Sequence, residues 1–415
     1  MNEPKLRFPE FTGDWAQHIL SDIIVDIADG PFGSNLKLEH YTDKKEARII
    51  QLSNLSDYGW QEENTRYTTF EHAEEIKRCI VNEDELIMGK MMPAGMTIMR
   101  PTTDKMYVLS SDCVRIKLDK SAATDEFFLY TTKSEEFLNQ IRSSSQGSTR
   151  IRISISKIKN MNLNIPSLPE QQKIGFLFTK LDTLIQSAQK ELEGYRELKQ
   201  GMLQKMFPKK GEKAPEIRFP EFTGDWEQRK LGDVTEFIRN GLNYKSDGDR
   251  SHKYKITRIE SISSGRINTE KLGSSETINK NYELKEGDIL FSHINSLPYI
   301  ANTAIYTSNL GEIYHGMNLL NIRANSACIS PYFLIHLLKN ETSRRYFKII
   351  AKPAVNQASI STTDVEMFEF LSPAIEEQER IASYFDSLDN LIASQQQELE
   401  GYKELKKGLL QQMFC

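Results

Sequence analysis

The sequence RFPEFTGDW stands at residues 7–15 and again, without a change, at residues 218–226, an offset of 211. A second match lies downstream, where residues 170–207 align without gaps with residues 377–414, and 23 of the 38 positions are identical. Because a repeat of this size marks two copies of one structural unit, the chain is a tandem duplication. The segments between the matches differ widely, which predicts a shared framework that carries two different middles.

The second matched segment predicts one long helix in each copy. Its apolar residues alternate at steps of three and four, as a coiled-coil seam requires, and acidic residues open each helix after a proline-bearing stretch. At 1.5 Å per residue such a helix is about 57 Å long, more than one domain usually buries. The predicted seam is Ile174, Phe178, Leu181, Ile185, Ala188, Leu192, Tyr195, Leu198, Met202 and Met206, then Ile381, Phe385, Leu388, Ile392, Gln395, Leu399, Tyr402, Leu405, Leu409 and Met413. We take as its central helix–helix interface Leu181, Ile185, Leu192, Tyr195, Leu388, Ile392, Leu399 and Tyr402.

The linker sets the direction of the two helices. Only residues 208–217 separate the first helix from the second RFPEFTGDW, and they span at most about 35 Å, so the helices should run antiparallel. Short alternating runs near residues 48, 85, 113, 254 and 288 predict strands, and residues 125–143 and 331–350 predict helices. The predicted fold is α+β, with two globular α/β-mixed domains joined by two long antiparallel coiled-coil helices in a pseudo-two-fold internal repeat. The predicted boundaries are 1–165, 166–214, 215–372 and 373–415.

Composition is that of an ordinary globular protein. The 415 residues include 39% hydrophobic and 27% charged residues, and the formal net charge is -5. No run reaches the roughly 18 apolar residues of a membrane span, the start lacks the apolar core of a secretory signal, and the four cysteines form no CxxC pair. We therefore expect a cytoplasmic protein without a membrane partner.

Basic residues are nevertheless concentrated locally, in stretches without an acidic residue. Five lie between Glu136 and Glu170, and four lie between Glu341 and Asp364 in the second copy. A further four lie between Asp249 and Glu260. Each stretch alone is more often a solvated surface, but stretches rich in Ser, Asn and Gln at equivalent places in both copies suit phosphate and base contacts.

A glycine-bearing loop occupies the same place in each copy, DGPFGSNLK at residues 29–37 and RNGLNYKSDGDR at residues 239–250. Its glycines allow either a close approach to a phosphate or a plain turn. From the loops and the basic stretches we predict these DNA-binding residues: Gly30, Ser34, Asn35, Lys37, Arg142, Gln146, Arg150, Arg152, Lys157, Arg239, Asn243, Lys245, Arg250, Lys253, Arg258, Arg344, Arg345, Asn356 and Gln357.

Motifs that would mark an enzyme are missing from the sequence. It has no GxxxxGK[ST], GxGxxG, HExxH or GxSxG motif and no zinc-type cysteine cluster, so we predict no catalytic and no metal-binding residue in this chain. Two classes of function remain: a DNA-binding protein, and a duplicated coiled-coil scaffold whose end domains bind other proteins without DNA. A nuclease or methyltransferase in its own right is the weakest of the alternatives.

The whole arrangement resembles one family, the specificity (S) subunits of type I restriction-modification systems. The resemblance rests on RFPEFTGDW, on DGPFGSNLK, and on PSLPEQQKI and SPAIEEQERI, each followed by a helix that closes with ELEGYRELKQGMLQKMF or ELEGYKELKKGLLQQMF. The second copy departs from the pattern by lacking the GPFGS loop and one of the two prolines.

The resemblance implies that each middle is a target recognition domain that reads one half of a bipartite, asymmetric site in double-stranded DNA through the major groove. The helices would set the spacing and dock two modification (methyltransferase) subunits, and two restriction (motor and nuclease) subunits would complete the complex. No cofactor would be bound by this chain, while S-adenosylmethionine, ATP and Mg²⁺ are expected in the partner subunits.

Overall fold

The computed structural model describes residues 3–31, 35–91, 94–103, 105–144, 152–243, 253–262, 265–355 and 357–414. The chain divides into two compact units. Unit 1 comprises residues 1–191 with residues 395–415, and unit 2 comprises residues 192–394. Each unit therefore contains one middle segment together with parts of both long helices.

The first copy contains mixed secondary structure. Its strands are β1 (Ala16–Ile19), β2 (Ile24–Asp29), β3 (Ala47–Ile50), β4 (Leu55–Ser56), β5 (Gly59–Trp60), β6 (Tyr67–Thr68), β7 (Ile80–Val81), β8 (Leu86–Gly89), β9 (Thr97–Met99), β10 (Met106–Leu109), β11 (Cys113–Leu118) and β12 (Asn162–Ile165). Its helices are α1 (Phe70–Glu75), α2 (Asp125–Thr131), α3 (Glu135–Ser144), α4 (Ile155–Lys159) and the long α5 (Leu168–Lys205).

The second copy has the same kind of content. Its strands are β13 (Glu227–Lys230), β14 (Thr235–Asn240), β15 (Tyr254–Ile256), β16 (Gly273–Ser275), β17 (Ile289–Phe291), β18 (Ile294–Asn295), β19 (Thr303–Ile305), β20 (Ile313–Tyr314), β21 (Leu320–Ala324), β22 (Lys352–Ala354), β23 (Gln357–Ser359) and β24 (Glu369–Ser372). Its helices are α6 (Pro331–Lys339), α7 (Glu341–Ile350), α8 (Thr362–Glu366) and the long α9 (Ile375–Gln412). The predicted mixture of strands with two long helices is confirmed, and no helix of the described ranges is long and apolar enough to cross a membrane.

The two middles share one sheet topology although their sequences differ. The central four-stranded sheet has the order β2-β11-β8-β9 in unit 1 and β14-β21-β17-β19 in unit 2. A second sheet contains the parallel pair β3/β10 in unit 1 and β15/β20 in unit 2, with the antiparallel strand β6 or β16 beside the first strand of the pair. In unit 1 this sheet has a fourth strand, β7, which pairs antiparallel with β10. The alternating apolar pattern therefore specifies the same fold twice.

A buried ion pair recurs in the central sheet of each unit. In unit 1, Arg115 donates to Glu85 at 2.5 Å, and in unit 2, Arg323 donates to Asp288 at 2.7 Å. In each unit the acidic residue directly precedes an inner strand of the central sheet, β8 or β17. The arginine lies on the neighbouring strand, β11 or β21, so the ion pair links equivalent strands in the two units. Removing one partner would leave a buried charge without compensation. This cost explains why both copies have the pair although the sequences around it differ.

The repeated motifs at the start and end of each copy bond to each other. Arg7 donates to Glu170 at 2.7 Å, and Arg218 donates to Glu377 at the same distance. The next residue of each long helix, Gln171 or Gln378, accepts a backbone N–H from its own domain, at 2.9 Å and 2.8 Å. These buried contacts fasten each domain to the first turn of its helix.

Each unit contains a segment of both long helices, and these segments run in opposite directions. In unit 1, the ring of Phe414, beyond the end of α9, lies 5.7 Å from that of Phe178 of α5, and Lys406 pairs with Asp182. In unit 2, Phe207 beyond the end of α5 lies 6.2 Å from Phe385 of α9. The corresponding ion pair there joins Lys199 to Asp389 at 2.5 Å.

The predicted helix–helix interface is only partly buried. Leu181, Ile185, Leu192, Leu388 and Leu399 are buried, and Tyr195, Ile392 and Tyr402 are half-buried. The wider seam prediction is wrong at Leu198 and Leu405, which are exposed. The buried surface of each long helix is therefore narrower than its heptad pattern predicts. Each helix packs against its domain as well as against the other helix, so the full apolar stripe does not face a single partner.

Candidate nucleic-acid interface

Three loops of unit 1 meet at one end of its central sheet. They are the loop that follows β2, the loop that precedes β11 and the segment that follows β8, and the antiparallel pairing of these strands brings their ends together. Arg152 joins this end from far along the chain: it bridges to Met91 and donates to the carbonyl of Ser111 at 2.9 Å. The sheet end thus combines the glycine-bearing loop with the acid-free basic stretch.

Unit 2 has the same arrangement. Leu242 donates to the carbonyl of His315 at 2.8 Å, which ties the loop after β14 to the loop before β21. The backbone N–H of Ile360 donates to the carbonyl of His293, which follows β17. In unit 1 the backbone N–H of Ile153 donates in the same way to the carbonyl of Lys90, which follows β8. Two features that are distant in sequence, the loop and the basic stretch, therefore lie together twice. We call this place the sheet-end surface of each unit.

Gly30 and Gly241 begin the loop after the first central strand. A Cβ atom on Gly30 would lie 1.8 Å from the carbonyl oxygen of Ser110, and one on Gly241 would lie 2.0 Å from that of Gly316. The missing side chain thus allows two segments of the protein backbone to approach each other. The buried position of Gly30 gives it this packing role, and a backbone contact of Gly30 with DNA stays a prediction.

The predicted residues of unit 1 that the structure describes are mostly engaged within the protein. Arg142 pairs with Glu135 and donates to Asn139 at 2.6 Å, and Lys157 donates to the carbonyl of Ser144 at 2.5 Å. Lys37 is exposed, with its amino group 3.8 Å from Glu39. These charges are anchored to the surface, so a phosphate would have to compete with partners already present.

A histidine that the sequence prediction missed holds the exposed residue Asn35. His72 lies with Nε2 at 2.9 Å from the carbonyl of Asn35 and Nδ1 at 3.0 Å from Glu75, and its ring stacks on His40 at 4.1 Å. Both partners are acceptors, so both bonds form together only when the ring is protonated. His40 in turn accepts the N–H of Lys37 at 3.0 Å. The stacked rings thereby anchor the described end of the loop.

Unit 2 also contains predicted residues that are engaged. The guanidinium of Arg239 lies over the rings of Phe237 and Tyr282, 4.2 Å and 5.2 Å from their centroids. Arg258 is paired with Glu260 at 3.5 Å, and Arg344 donates to Asn302 at 3.2 Å. Stacking of a guanidinium on two rings holds it firmly, so it has little freedom to follow a phosphate.

Other predicted residues of unit 2 are exposed and available. Arg345 and Gln357 have no side-chain partner within the described part of the chain, and Asn243 is exposed. Lys253 is exposed and lies 5.1 Å from the ring of Tyr254. The predicted residues outside the described ranges are Ser34, Gln146, Arg150, Lys245, Arg250 and Asn356.

Comparison with known proteins gives the family. The model of the type I restriction modification DNA specificity domain matches residues 36–194 and again residues 223–401. The chain is 42% identical over 209 residues to the MjaX type I restriction enzyme specificity subunit of Methanocaldococcus jannaschii, across 49% of either chain. It is 26% identical over 356 residues to the MjaVIII specificity subunit of that organism, across 80% of this chain and 79% of that one. The first alignment thus spans about half of its relative.

Solved structures share the fold. The S subunit of a type I restriction-modification system from M. genitalium superposes with a TM-score of 0.64 at 15% identity, covering 100% of this chain and 99% of that chain. A chain from a structure concerned with assembly and conformational transition of the type I system gives 0.53 at 16% identity, over 95% and 96%. Because the family model matches both copies and most of the chain, the protein belongs to the DNA specificity subunits of type I restriction-modification systems.

Proposed function

We propose that each unit reads one half of a bipartite site in double-stranded DNA through its sheet-end surface. The observation that carries the proposal is the meeting of the glycine-bearing loop and the acid-free basic stretch at the same sheet end in both units. Loops at the end of a rigid sheet suit recognition, because the sheet holds the loops in place while the loop residues can differ from one protein to another. The residues of the two surfaces differ, so the two half-sites differ and the whole site is asymmetric.

We further propose that the two long helices run antiparallel and set the spacing between the two half-sites. The linker length and the opposite helix directions within each unit support it.

The helices also offer a surface for partners. Four leucines are exposed at matched positions, Leu184 with Leu391 and Leu198 with Leu405. Exposed leucines that recur by symmetry suit an interface with two copies of one partner. We assign this surface to two modification subunits, which would carry S-adenosylmethionine, with two restriction subunits supplying ATP- and Mg²⁺-dependent steps. In this proposal the chain contributes specificity and binds no cofactor.

The test is to co-express the chain with the modification subunit of its system and to map methylated adenines across the host genome. We expect one gapped, asymmetric motif, and we expect that replacing residues 215–372 with another target recognition domain changes only one half of it. A soluble complex that adds no methylation would instead favour the scaffold alternative, in which the end domains bind proteins.

A further inference from the structure

A β-hairpin projects from the sheet-end surface of unit 2. Strands β22 and β23 pair antiparallel with Ala354 opposite Gln357, and β23 also pairs with β18. Ile360, which follows the hairpin, donates to the carbonyl of His293 at 2.8 Å. The hairpin is therefore anchored on one side and has a free edge, β22, on the other.

The described residues at the far end of β22 are apolar. Val355 is 92% exposed, and its neighbours Pro353 and Ala354 are exposed as well. A valine gains nothing by facing water. Ile349, just before the hairpin, is 73% exposed. No described residue of unit 2 covers Val355 or Ile349, so a molecule that packs against them must come from outside the unit.

Exposed basic residues lie on the preceding helix α7 and at the start of β22. Arg345 and Lys348 lie three residues apart on α7, exposed and without a side-chain partner among the described residues, and Lys352 is exposed at the start of β22. The nearby acid Asp364 bonds to Ser361, whose hydroxyl is the main cause that lowers the pKa of this carboxyl. Exposed cations together with an exposed apolar side chain match the major groove of DNA, which has anionic phosphates at its rim and thymine methyl groups among the polar base edges of its floor.

We propose that this hairpin enters the major groove of the second half-site; the inference rests on the DNA-reading function proposed above. The major groove admits a two-stranded β-ribbon. Gln357 then hydrogen-bonds an adenine through its N6 and N7 edge, and Val355 contacts the methyl group of a thymine. Arg345, Lys348 and Lys352 bind the flanking phosphates. The second half-site accordingly contains A·T base pairs at the position of the hairpin.

The experiment measures binding of the full chain, in complex with its modification subunit, to a duplex that carries the mapped motif. Thymines of the second half-site are replaced one at a time by deoxyuridine, which lacks the methyl group, and adenines by 7-deazaadenine, which lacks N7. For the native protein we expect about tenfold weaker binding at one position of each kind. Gln357→Ala should no longer respond to 7-deazaadenine, and Val355→Ser should no longer respond to deoxyuridine.

Matched variants separate base reading from general effects. Val25→Ser changes another exposed valine, 63% exposed on β2, and should bind like the native protein. The double variant Arg345→Gln with Lys348→Gln should lower the slope of log affinity against log salt by about two, while Lys190→Gln on α5 should leave it unchanged.

Two results would overturn the inference while leaving the proposed function intact. One is a second half-site without A·T pairs, and the other is specific binding in which the hairpin variants respond to both modified bases as the native protein does. Failure of the native complex to bind any sequence specifically would instead refute the proposed function itself.

Discussion

At the scale of single residues, the two loop glycines have a measurable packing role. Gly30→Ala or Gly241→Ala forces a methyl group against a backbone carbonyl that has no room to move, and we expect a loss of about 2–4 kcal/mol in the free energy of unfolding. Urea denaturation measures this loss. Gly194→Ala on α5 is the control, since no atom lies within 4 Å of the added methyl group, and it should stabilise the chain by up to about 1 kcal/mol. Equal effects of all three variants would contradict the packing argument.

Two buried histidines make unit 2 sensitive to acid. Burial lowers the pKa of both His293 and His315 from the ordinary 6.5 to about 4. Between these values the unfolded chain binds protons that the folded chain does not, so stability is complete above pH 6.5 and falls as the pH drops towards 4. At pH 5 the loss is roughly 2 kcal/mol for each histidine.

Thermal unfolding of the full chain at pH 7, 6 and 5 tests this dependence. His315→Gln keeps a donor for the carbonyl of Leu319, which His315 Nε2 contacts at 2.9 Å, but it does not titrate. We expect a smaller drop in melting temperature for this variant than for the native chain. Identical pH profiles would show that His315 is not responsible.

At the scale of elements, the exposed leucines of the long helices are predicted to bind the modification subunit. Leu198→Glu with Leu405→Glu should leave the folded chain within about 0.5 kcal/mol of its native stability, since both side chains face solvent. The same pair should weaken association with the modification subunit at least tenfold, measured by calorimetry. Gln397→Glu adds a carboxylate at another exposed position of α9 and should have no effect. Normal assembly of the double variant would exclude this surface.

The long helices also show what a periodic pattern predicts well. Their existence, length and start followed from the steps of three and four and from the prolines before them, and the structure confirms both helices. The predicted burial of Leu198 is wrong. Periodicity shows which residues form the apolar stripe of a helix, but it does not show how much of that stripe a neighbouring helix covers. The strands were predicted as segments, and their pairing order was not, because partners in a sheet are chosen by packing over long sequence separations.

At the scale of the whole molecule, the division into units predicts the behaviour of a fragment. Unit 1 uses Leu409, Met413 and Phe414 of the second copy to complete its core. The equivalent positions of the first copy are Met202, Met206 and Phe207, so residues 1–214 can supply the missing segment from a second fragment. We therefore expect a dimer at tens of micromolar in sedimentation equilibrium. With the modification subunit, the dimer should direct methylation to a palindrome of the first half-site, whereas a monomer would refute the argument.

The candidate site was predicted in outline only. The loop at residues 29–37 and the stretch around Arg152 were each singled out, and the structure joins them at one sheet end. Which charges are available did not follow from sequence: Arg239 packs over two aromatic rings, whereas Arg345 has no side-chain partner among the described residues. Val355 was missed, because an apolar residue in a polar stretch carries no signal until its exposure is known.

The duplication, the two long helices and the membership of a DNA specificity family were determined by the sequence alone, because identity between the copies, helical periodicity and the family motifs are read directly from the order of residues in the chain. Only the tertiary structure decided that the divergent middles share one sheet, that Arg7 bonds to Glu170, and that a loop and a basic stretch meet at one surface. These features depend on contacts between residues that are distant in the sequence, 163 positions apart for Arg7 and Glu170 and 41 for Arg152 and Ser111. Such contacts form by complementary packing, and no local pattern encodes their partners.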